Sequence, residues 1–420
     1  MLWYRRGEVI RLAGVSELVD RVAMLRDAMV ETLMEMVAVR AVNPRSGDGN
    51  GEYDRARFLE DVLTEIGFDE MSRYEAPDDA VSEGVRPNLI ARKHGRDRSR
   101  TLWIVTHMDT VPEGDRSLWE TDPYKPVLRD GKIYGRGAED NGQALVASLY
   151  AVKALNDLDI TPLIDLGLAL VADEETGSRH GISYLIEQGI FGEDDLILVP
   201  DAGNEDGSFI EIAEKSILWF KLTTLGKQAH GSTPHEGINA HRVGMLAAIE
   251  VDRFLHQKYE RKDPLFDPPE STFEPTKVEP NVGNINTMPG RDVVYFDCRI
   301  LPDYPVEQML NDIQGIYRRF EIDYGVKIEL EVIQRLEAPS ATPEDAPVVS
   351  RLKQAIQVTR GLEPTIGGIG GGTCAALFRN AGLPAVVWCT QAGMAHQPNE
   401  YCVVDNLVAD TQVFVAFMIL

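Results

Sequence analysis

Five segments of the sequence set a histidine or a carboxylate at the end of an apolar run. They are His107 and Asp109 in VTHMDTVP, Asp140 in GRGAEDNGQ, Glu174 and Glu175 in VADEETGS, Asp201 in VPDAGN, and His396 in MAHQPNEY. Any one acid after a strand has a plainer use as the cap of the next helix. Taken together, imidazole nitrogen and carboxylate oxygen without thiolate are a donor mix that suits zinc, and with more carboxylate also manganese or cobalt. Two histidines and three carboxylates are enough for two ions if one carboxylate bridges. A metal-bound imidazole usually donates its second N–H to a carboxylate, so HMD reads as His107 on a metal with Asp109 orienting it. Side chains two apart on a strand share a side, which lets the loop after the strand hold both at one site. Adjacent acids on a strand diverge and repel, so in DEE one is expected to bind metal while the other faces substrate. A carboxylate beside metal-activated water can take its proton and deliver it to a leaving amine, and Glu174 and Glu175 are expected to divide these roles.

The elements that carry these residues alternate. Leu18, Val19, Val22, Leu25, Met29, Leu33 and Val37 recur at three- and four-residue steps, which predicts a helix over residues 17–41, broken by NPRSGDGNGEYD. Helical patterns (DRARFLEDVLTEIGF, GQALVASLYAVKALNDL) then alternate with short apolar runs (TLWIVTH, LGLALVADEE, DLILVPDAG), the rhythm of a largely parallel sheet with helices on it. Functional residues belong at the strand ends of such a sheet. Between residues 215 and 336 the rhythm becomes strand, helix, strand, helix, strand, which predicts a small inserted domain. EAPSATPEDAP reads as the return linker. The expected division is therefore 1–214 with 337–420, and 215–336.

A length of 420 residues is too long for one ordinary core, so two domains are expected. The formal charge of -25, from 42 basic against 67 acidic residues, argues against nucleic acid or an anionic membrane as partner and favours a small molecule or peptide. Four cysteines without a CxxC pair indicate neither a disulfide framework nor a thiolate zinc site, and fit a reducing cytoplasm. No apolar run reaches the roughly 18 to 20 residues of a membrane span. The N-terminus lacks a signal-peptide apolar region ahead of its charges, and Met24 offers an alternative start.

In this order HMD, GRGAEDN, DEETGS, PDAGN and AHQPNE resemble the zinc amidohydrolase and exopeptidase family that contains aminoacylase, acetylornithine deacetylase, succinyl-diaminopimelate desuccinylase and glutamate carboxypeptidase. The resemblance implies an α/β catalytic domain with a mostly parallel sheet and a two-metal site, plus an inserted α+β lid domain through which the protein forms a homodimer. It implies that His107 and Asp201 bind one metal, that Glu175 and His396 bind the other, and that Asp140 bridges both. Glu174 becomes the general base toward a water between the ions, and Asp109 the partner of His107. GKQAHGSTPHEGINA resembles the family's lid motif, whose histidine, here His230, stabilises the oxyanion in the neighbouring subunit. NINTMPG and FDCRILP resemble lid segments that place Asn286 and Arg299 on the substrate.

A guanidinium fork suits a carboxylate, so substrates with a free carboxylate are favoured. Arg299 could equally pair with Asp297, which strand alternation puts on the same side, or with Asp303. The glycine-rich IGGIGGGTCAALF lacks a Walker lysine and the spacing of a dinucleotide fingerprint. Backbone N–H groups of Gly371, Gly372 and Thr373 ahead of a helix remain able to hold a substrate carboxylate. Where the family commonly has an acid and an arginine in this loop, Ala375 and Leu377 stand here, which argues against carrying over succinyl-diaminopimelate specificity. Cys374 has no histidine near it in sequence and is expected to be a packed residue. The expected activity is hydrolysis of an amide or peptide bond in a small N-acyl amino acid or dipeptide, with two divalent ions per chain, zinc first and cobalt or manganese as substitutes. The competing reading is a metal-binding homologue that holds an amino-acid-like ligand without cleaving it; the presence of every expected catalytic residue speaks against it.

Overall fold

The computed structural model describes residues 14–45 and 49–420. The extreme N-terminus, on which the choice of start turns, and part of the break after the first helix lie outside the described residues. The predicted helix over 17–41 is two helices, α1 (residues 14–24) and α2 (Arg26–Ala38), joined by a turn at Leu25. There the ladder tightens to a three-residue bond, Leu25 N–H to the Val22 carbonyl at 3.0 Å. Leu18, Val22, Leu25, Met29, Leu33 and Val37 are all buried, so the apolar stripe runs through the turn unbroken.

The chain continues through α3 (Tyr53–Ile66), β1 (Glu70–Pro77), β2 (Val85–Lys93), β3 (Asp97–His107), β4 (Val127–Arg129), β5 (Lys132–Tyr134), α4 (Ala144–Asp157), β6 (Ile164–Val171), α5 (Ile182–Glu187), β7 (Leu196–Val199) and β8 (Phe209–Glu214). Next come β9 (Ser216–Leu225), β10 (Ala229–His230), α6 (Ala240–Lys258), β11 (Thr272–Val278), β12 (Thr287–Met288), β13 (Arg291–Ile300), α7 (Val306–Tyr324) and β14 (Lys327–Leu336). The last stretch holds α8 (Pro347–Arg360), β15 (Thr365–Ile369), α9 (Ala375–Asn380), β16 (Ala385–Val387), β17 (Tyr401–Val403) and α10 (Val404–Ile419). Two compact units result: one takes the chain up to Ile212 with Thr342–Ile366 and Thr373–Leu420, the other Ala213–Ala341 with Gly367–Gly372.

An eight-stranded sheet has the order β1-β2-β6-β3-β7-β16-β8-β15. Its middle, β6-β3-β7-β16, is parallel, and β2 against β6 and β8 against β16 are antiparallel. Every residue of β6 is buried, as are the last seven of β3; such continuous apolar runs belong to strands covered on both faces. Because β3, β6 and β7 are parallel, their C-terminal ends lie along one edge, and the segments HMD, DEE and PDAGN all leave from it.

In the second unit a sheet of order β11-β13-β9-β14 packs on α6 and α7. Its core joins Leu218, Phe220 and Phe296 with Val251 and Leu255 of α6 and Ile313 and Ile316 of α7. Strand β11 is an addition to the predicted order. Its sequence, TFEPTKV, is mostly exposed and carries Pro275 at a register shift, features that only an edge strand accepts. Among the described residues no helix is long and apolar enough to cross a membrane.

Candidate metal centre

Strand β3 ends on His107, which is 3 % exposed. Its Nδ1 lies 3.0 Å from the carbonyl oxygen of Asp109. A carbonyl only accepts, so Nδ1 carries the proton and Nε2 is turned toward the site. The carboxylate of Asp109 is 3.6 Å from Nδ1, an ion contact rather than a hydrogen bond. That carboxylate instead accepts from Asn43 Nδ2 at 2.8 Å and from the backbone N–H groups of Glu174 and Glu175 at 3.0 and 3.2 Å. Residue 109 therefore orients His107 through its main chain, while its side chain ties the end of β3 to the end of β6.

His107 Nε2 stands 2.9 Å from Asp140 Oδ1 and 3.3 Å from Asp201 Oδ1. His396 Nε2 stands 3.1 Å from Asp140 Oδ2 and 3.0 Å from Glu175 Oε2. The two oxygens of Asp140 thus serve two histidines, and two groups of ligand atoms emerge that share this residue: His107, Asp140, Asp201 and Asp140, Glu175, His396. On a tetrahedron with bonds of about 2.1 Å, ligand atoms lie roughly 3.4 Å apart. The observed spacings would open by a few tenths of an ångström to accept an ion, and nitrogen with carboxylate oxygen is the right donor chemistry for zinc, cobalt or manganese.

The electrostatics follow from the crowding. Burial pulls His107 down, but Asp109, Asp140 and Asp201 outweigh it and hold the imidazole well above its ordinary value. Donating to the carboxylates of Asp140 and Glu175 pushes His396 up to about 10, against partial burial. Asp140 is raised by burial yet held low on balance by the two imidazoles. Cationic charge is what this cluster favours.

Glu174 and Glu175 do not lie on a strand. Asp173 takes a left-handed conformation (φ 63°) just past β6, and Glu174–Thr176 form a 3₁₀ turn. The turn separates the two acids: Glu175 accepts from Val111 N–H at 3.1 Å and faces His396, whereas the carboxylate of Glu174 has no hydrogen-bond or ion-pair partner among the described residues. Burial first, then Asp201, Glu175 and Asp109, push Glu174 well above the usual carboxylate range, against His107. A carboxyl held high and without a partner is suited to proton transfer. Oxygen or sulfur atoms of Glu174, Asp201 and Cys374 also come within 4.8 Å of one another, with Cys374 buried in the apolar cluster beside Phe378.

His230, Asn286, Arg299, Gly371 and Gly372 belong to the second unit and Thr373 to the first. The second unit brings two of them together: His230 pairs with Thr287 across β10 and β12, and Gly231 N–H donates to the Asn286 carbonyl at 2.7 Å. His230 Nδ1 accepts from Ser232 N–H at 3.2 Å, which leaves Nε2 as the protonated nitrogen of the neutral ring. Arg299 grips Asp297 with Nε and one terminal nitrogen, at 2.7 and 3.1 Å, and its other terminal nitrogen donates to the Gly370 carbonyl at 3.0 Å. Asp303 pairs instead with Arg261.

Other residues of the site escaped the sequence reading. Asp173 accepts from Thr176 Oγ1 at 2.6 Å, His180 Nδ1 at 2.8 Å and Asn43 Nδ2 at 3.2 Å. Arg86, fully buried, holds Glu52 and lies 3.4 Å from Asp173. Glu139 and Glu400, both buried, tie the Asp140 and His396 loops to each other. Asp173, Glu139 and Glu400 lie inside the quoted motifs, so their positions were visible and their partners were not. Asn43, Glu52 and Arg86 carry no local signal.

The sequence profile of Peptidase family M20/M25/M40 matches residues 103–419. An uncharacterized metallohydrolase of Methanocaldococcus jannaschii is 42 % identical over 398 residues, covering 90 % of this chain and 96 % of its own. The succinyl-diaminopimelate desuccinylase of Roseobacter denitrificans is 26 % identical over 358 residues, covering 84 % of this chain and 89 % of its own. Among solved structures, aminopeptidase PepT from Bacillus cereus superposes with a TM-score of 0.74 at 21 % identity, over 94 % of this chain and 98 % of that one. At that identity the likeness speaks for the fold.

Proposed function

The chain belongs to peptidase family M20/M25/M40 and is a metallohydrolase that acts on amide bonds; from that premise we propose that it cleaves a small N-acyl amino acid or dipeptide bearing a free carboxylate, with two divalent ions per chain. One observation carries this reading: the two oxygens of Asp140 face two different histidines, each within its own ligand group, with the partnerless carboxylate of Glu174 beside them. His107 and Asp201 would hold one ion, Glu175 and His396 the other, and Asp140 both.

When bound, the ions supply Lewis-acid activation of the attacking water and of the scissile carbonyl. Glu174 takes a proton from that water and delivers it to the departing nitrogen. The Nε2–H of His230, from the partner of a homodimer, donates to the oxyanion that develops on the substrate carbonyl. Asn286, Arg299 and the backbone of Gly371 to Thr373 anchor the substrate carboxylate; Arg299 does so by sharing or releasing Asp297. A cytoplasmic setting fits the four buried cysteine thiols.

The test is metal content and hydrolysis on one preparation. Bound ions are counted per chain while N-acetyl and N-succinyl amino acids are screened alongside dipeptides. About two ions and chelator-sensitive cleavage of one class support the reading. Protein that stays inert after zinc, cobalt and manganese are each supplied overturns it.

A further inference from the structure

Asp140 and His396 lie on separate loops, and each loop carries a second, buried acid that the proposed chemistry does not use. Strand β17 pairs antiparallel with β5, Tyr401 opposite Tyr134, so the residue before β17 lies beside the residue after β5. Glu400 is that residue, and its side chain is fully buried. Its Oε2 accepts from the Arg136 guanidinium at 2.6 Å and from Gly137 N–H at 3.0 Å. Its Oε1 accepts from the N–H groups of Glu139 and Asp140, both at 3.0 Å. The turn that presents Asp140 is thus wrapped around a carboxylate from the loop of His396.

The converse contact exists as well. Glu139, 3 % exposed, extends into the other loop, where its two oxygens accept from the backbone N–H groups of Ala392 and Met394. Two residues further on, His396 is held at φ 64°. A non-glycine residue in that region is strained and persists only where its surroundings over-determine it. Each loop therefore fills its partner's backbone donors with a buried acid.

A carboxylate is specifically what these positions need. Each oxygen faces N–H donors, and an ionised carboxylate has acceptor sites on both, whereas an amide of the same shape would turn an NH₂ group against a donor. Two further carboxylates beside the acids of the site are costly to bury, and Arg136 is the cation that Glu400 meets directly. A loop anchor alone could be built from serine or asparagine.

We propose that Glu139 and Glu400 are positioning residues that form a reciprocal brace between the Asp140 and His396 loops and set the spacing of the shared metal ligand. The inference rests on the two-metal reading above. It separates the two acids by effect. Glu139 acts on the His396 loop alone, so Glu139→Gln weakens only the ion held by Asp140, Glu175 and His396. Glu400 acts on Asp140, which both ions share, so Glu400→Gln weakens both.

The experiment is a stepwise titration of the chelator-treated full chain with cobalt, followed by calorimetry and visible absorption, on wild type and both variants. Loss of an outer-sphere partner is expected to weaken the affected ion roughly 10–100-fold. The expected pattern is one weakened step in Glu139→Gln and two in Glu400→Gln. In the double variant the ion held by Asp140, Glu175 and His396 should be weakened at least as much as in Glu400→Gln alone. Unchanged affinities in Glu139→Gln, even with a lowered melting temperature, overturn the brace and reduce the residue to a loop anchor. Should Glu400→Gln not fold, Glu139→Gln, whose side chain meets backbone N–H groups of the His396 loop, decides the matter. Wild type that fails to take up two ions overturns the two-metal reading itself, an outcome distinct from unaltered variants of a two-ion protein.

Discussion

Gly167 lies in the middle of β6, opposite Trp103 of β3. A Cβ placed on it would come within 2.2, 2.3 and 2.7 Å of three atoms of the Trp103 ring. Carbon atoms pack at about 3.5–4.0 Å, so Gly167→Ala requires the indole to retreat by more than an ångström. The ring has little room to do so. Its N–H donates to Asp195 at 2.7 Å, the Phe191 ring meets it edge-on at 5.1 Å, and the Arg92 guanidinium lies 4.5 Å over its face. Overpacking costs about 1–3 kcal/mol, and swinging the indole away from a charged acceptor costs about 1.5–3 more. Together the substitution should destabilise the first unit by roughly 3–5 kcal/mol, read from urea unfolding. The control is a double-mutant cycle with Trp103→Leu, in which the space exists and Gly167→Ala should cost about 1 kcal/mol or less. Equal costs of Gly167→Ala in the two backgrounds would refute the reasoning, because the clash would then not be with the ring. Since β6 leads to Glu174 and β3 ends on His107, the substitution also shifts the two strands that carry the site against each other.

Two further outcomes can be checked. Glu174→Gln keeps the shape of the side chain and removes its proton acceptor, so kcat should fall by roughly 10²–10⁴ while metal content stays at the wild-type level; undiminished turnover would remove Glu174 from the mechanism. Asp157 joins α4 to Arg21 of α1 at 2.7 Å and also contacts Lys153. Burial raises this carboxyl, but Lys153 and Arg21 hold it below the ordinary aspartate range. A group with a lowered folded value lends stability above its unfolded value of about 3.9 and loses it as pH falls through the folded one. Asp157→Asn should therefore cost about 0.5–1 kcal/mol at pH 7, the modest figure for a partly exposed pair. The gap to wild type should narrow only below about pH 4; a gap that narrows between pH 7 and 5 would mean that another group is responsible.

The fold was legible where one signal was repeated. Leu102 to Val105, Leu166 to Val171 and Leu196 to Val199 are apolar throughout, and all three are buried strands of the parallel core. The break at Leu25 was not legible, because the apolar stripe of α1 and α2 is continuous across it. Strand β11 was hidden because Pro275 and its exposed charged neighbours look like a loop, and its pairing with β13 is fixed by a partner some twenty residues away. The same limit applies to the turn after β6. DEE looks like a strand end from its spacing, yet the left-handed Asp173 is stabilised by Asn43 and His180, which lie far from it in sequence or in the next turn.

The candidate site shows why acids after strands are ambiguous in a sequence and distinct in space. Asp140, Glu175 and Asp201 face imidazole nitrogens or a shared central space. Asp109, Glu139 and Glu400 end on backbone N–H groups of a neighbouring loop. Both kinds follow apolar runs, and both kinds are shielded from water. What separates them is the donor each one meets. An acid that meets only N–H groups has its acceptor sites filled and fixes a loop, whereas one that meets an imidazole nitrogen shares a ligand position and responds to a cation. Glu174 is the third case, with neither partner among the described residues. The cost of keeping its carboxyl half-buried and unpaired is borne by the rest of the turn, where Asp109 holds the N–H groups of both Glu174 and Glu175. Removing that anchor with Asp109→Ala would free the turn to let Glu174 find a partner while the main-chain carbonyl that orients His107 stays in place, which makes the Asp109 side chain a condition for the proton-transfer role of Glu174 rather than for the orientation of His107.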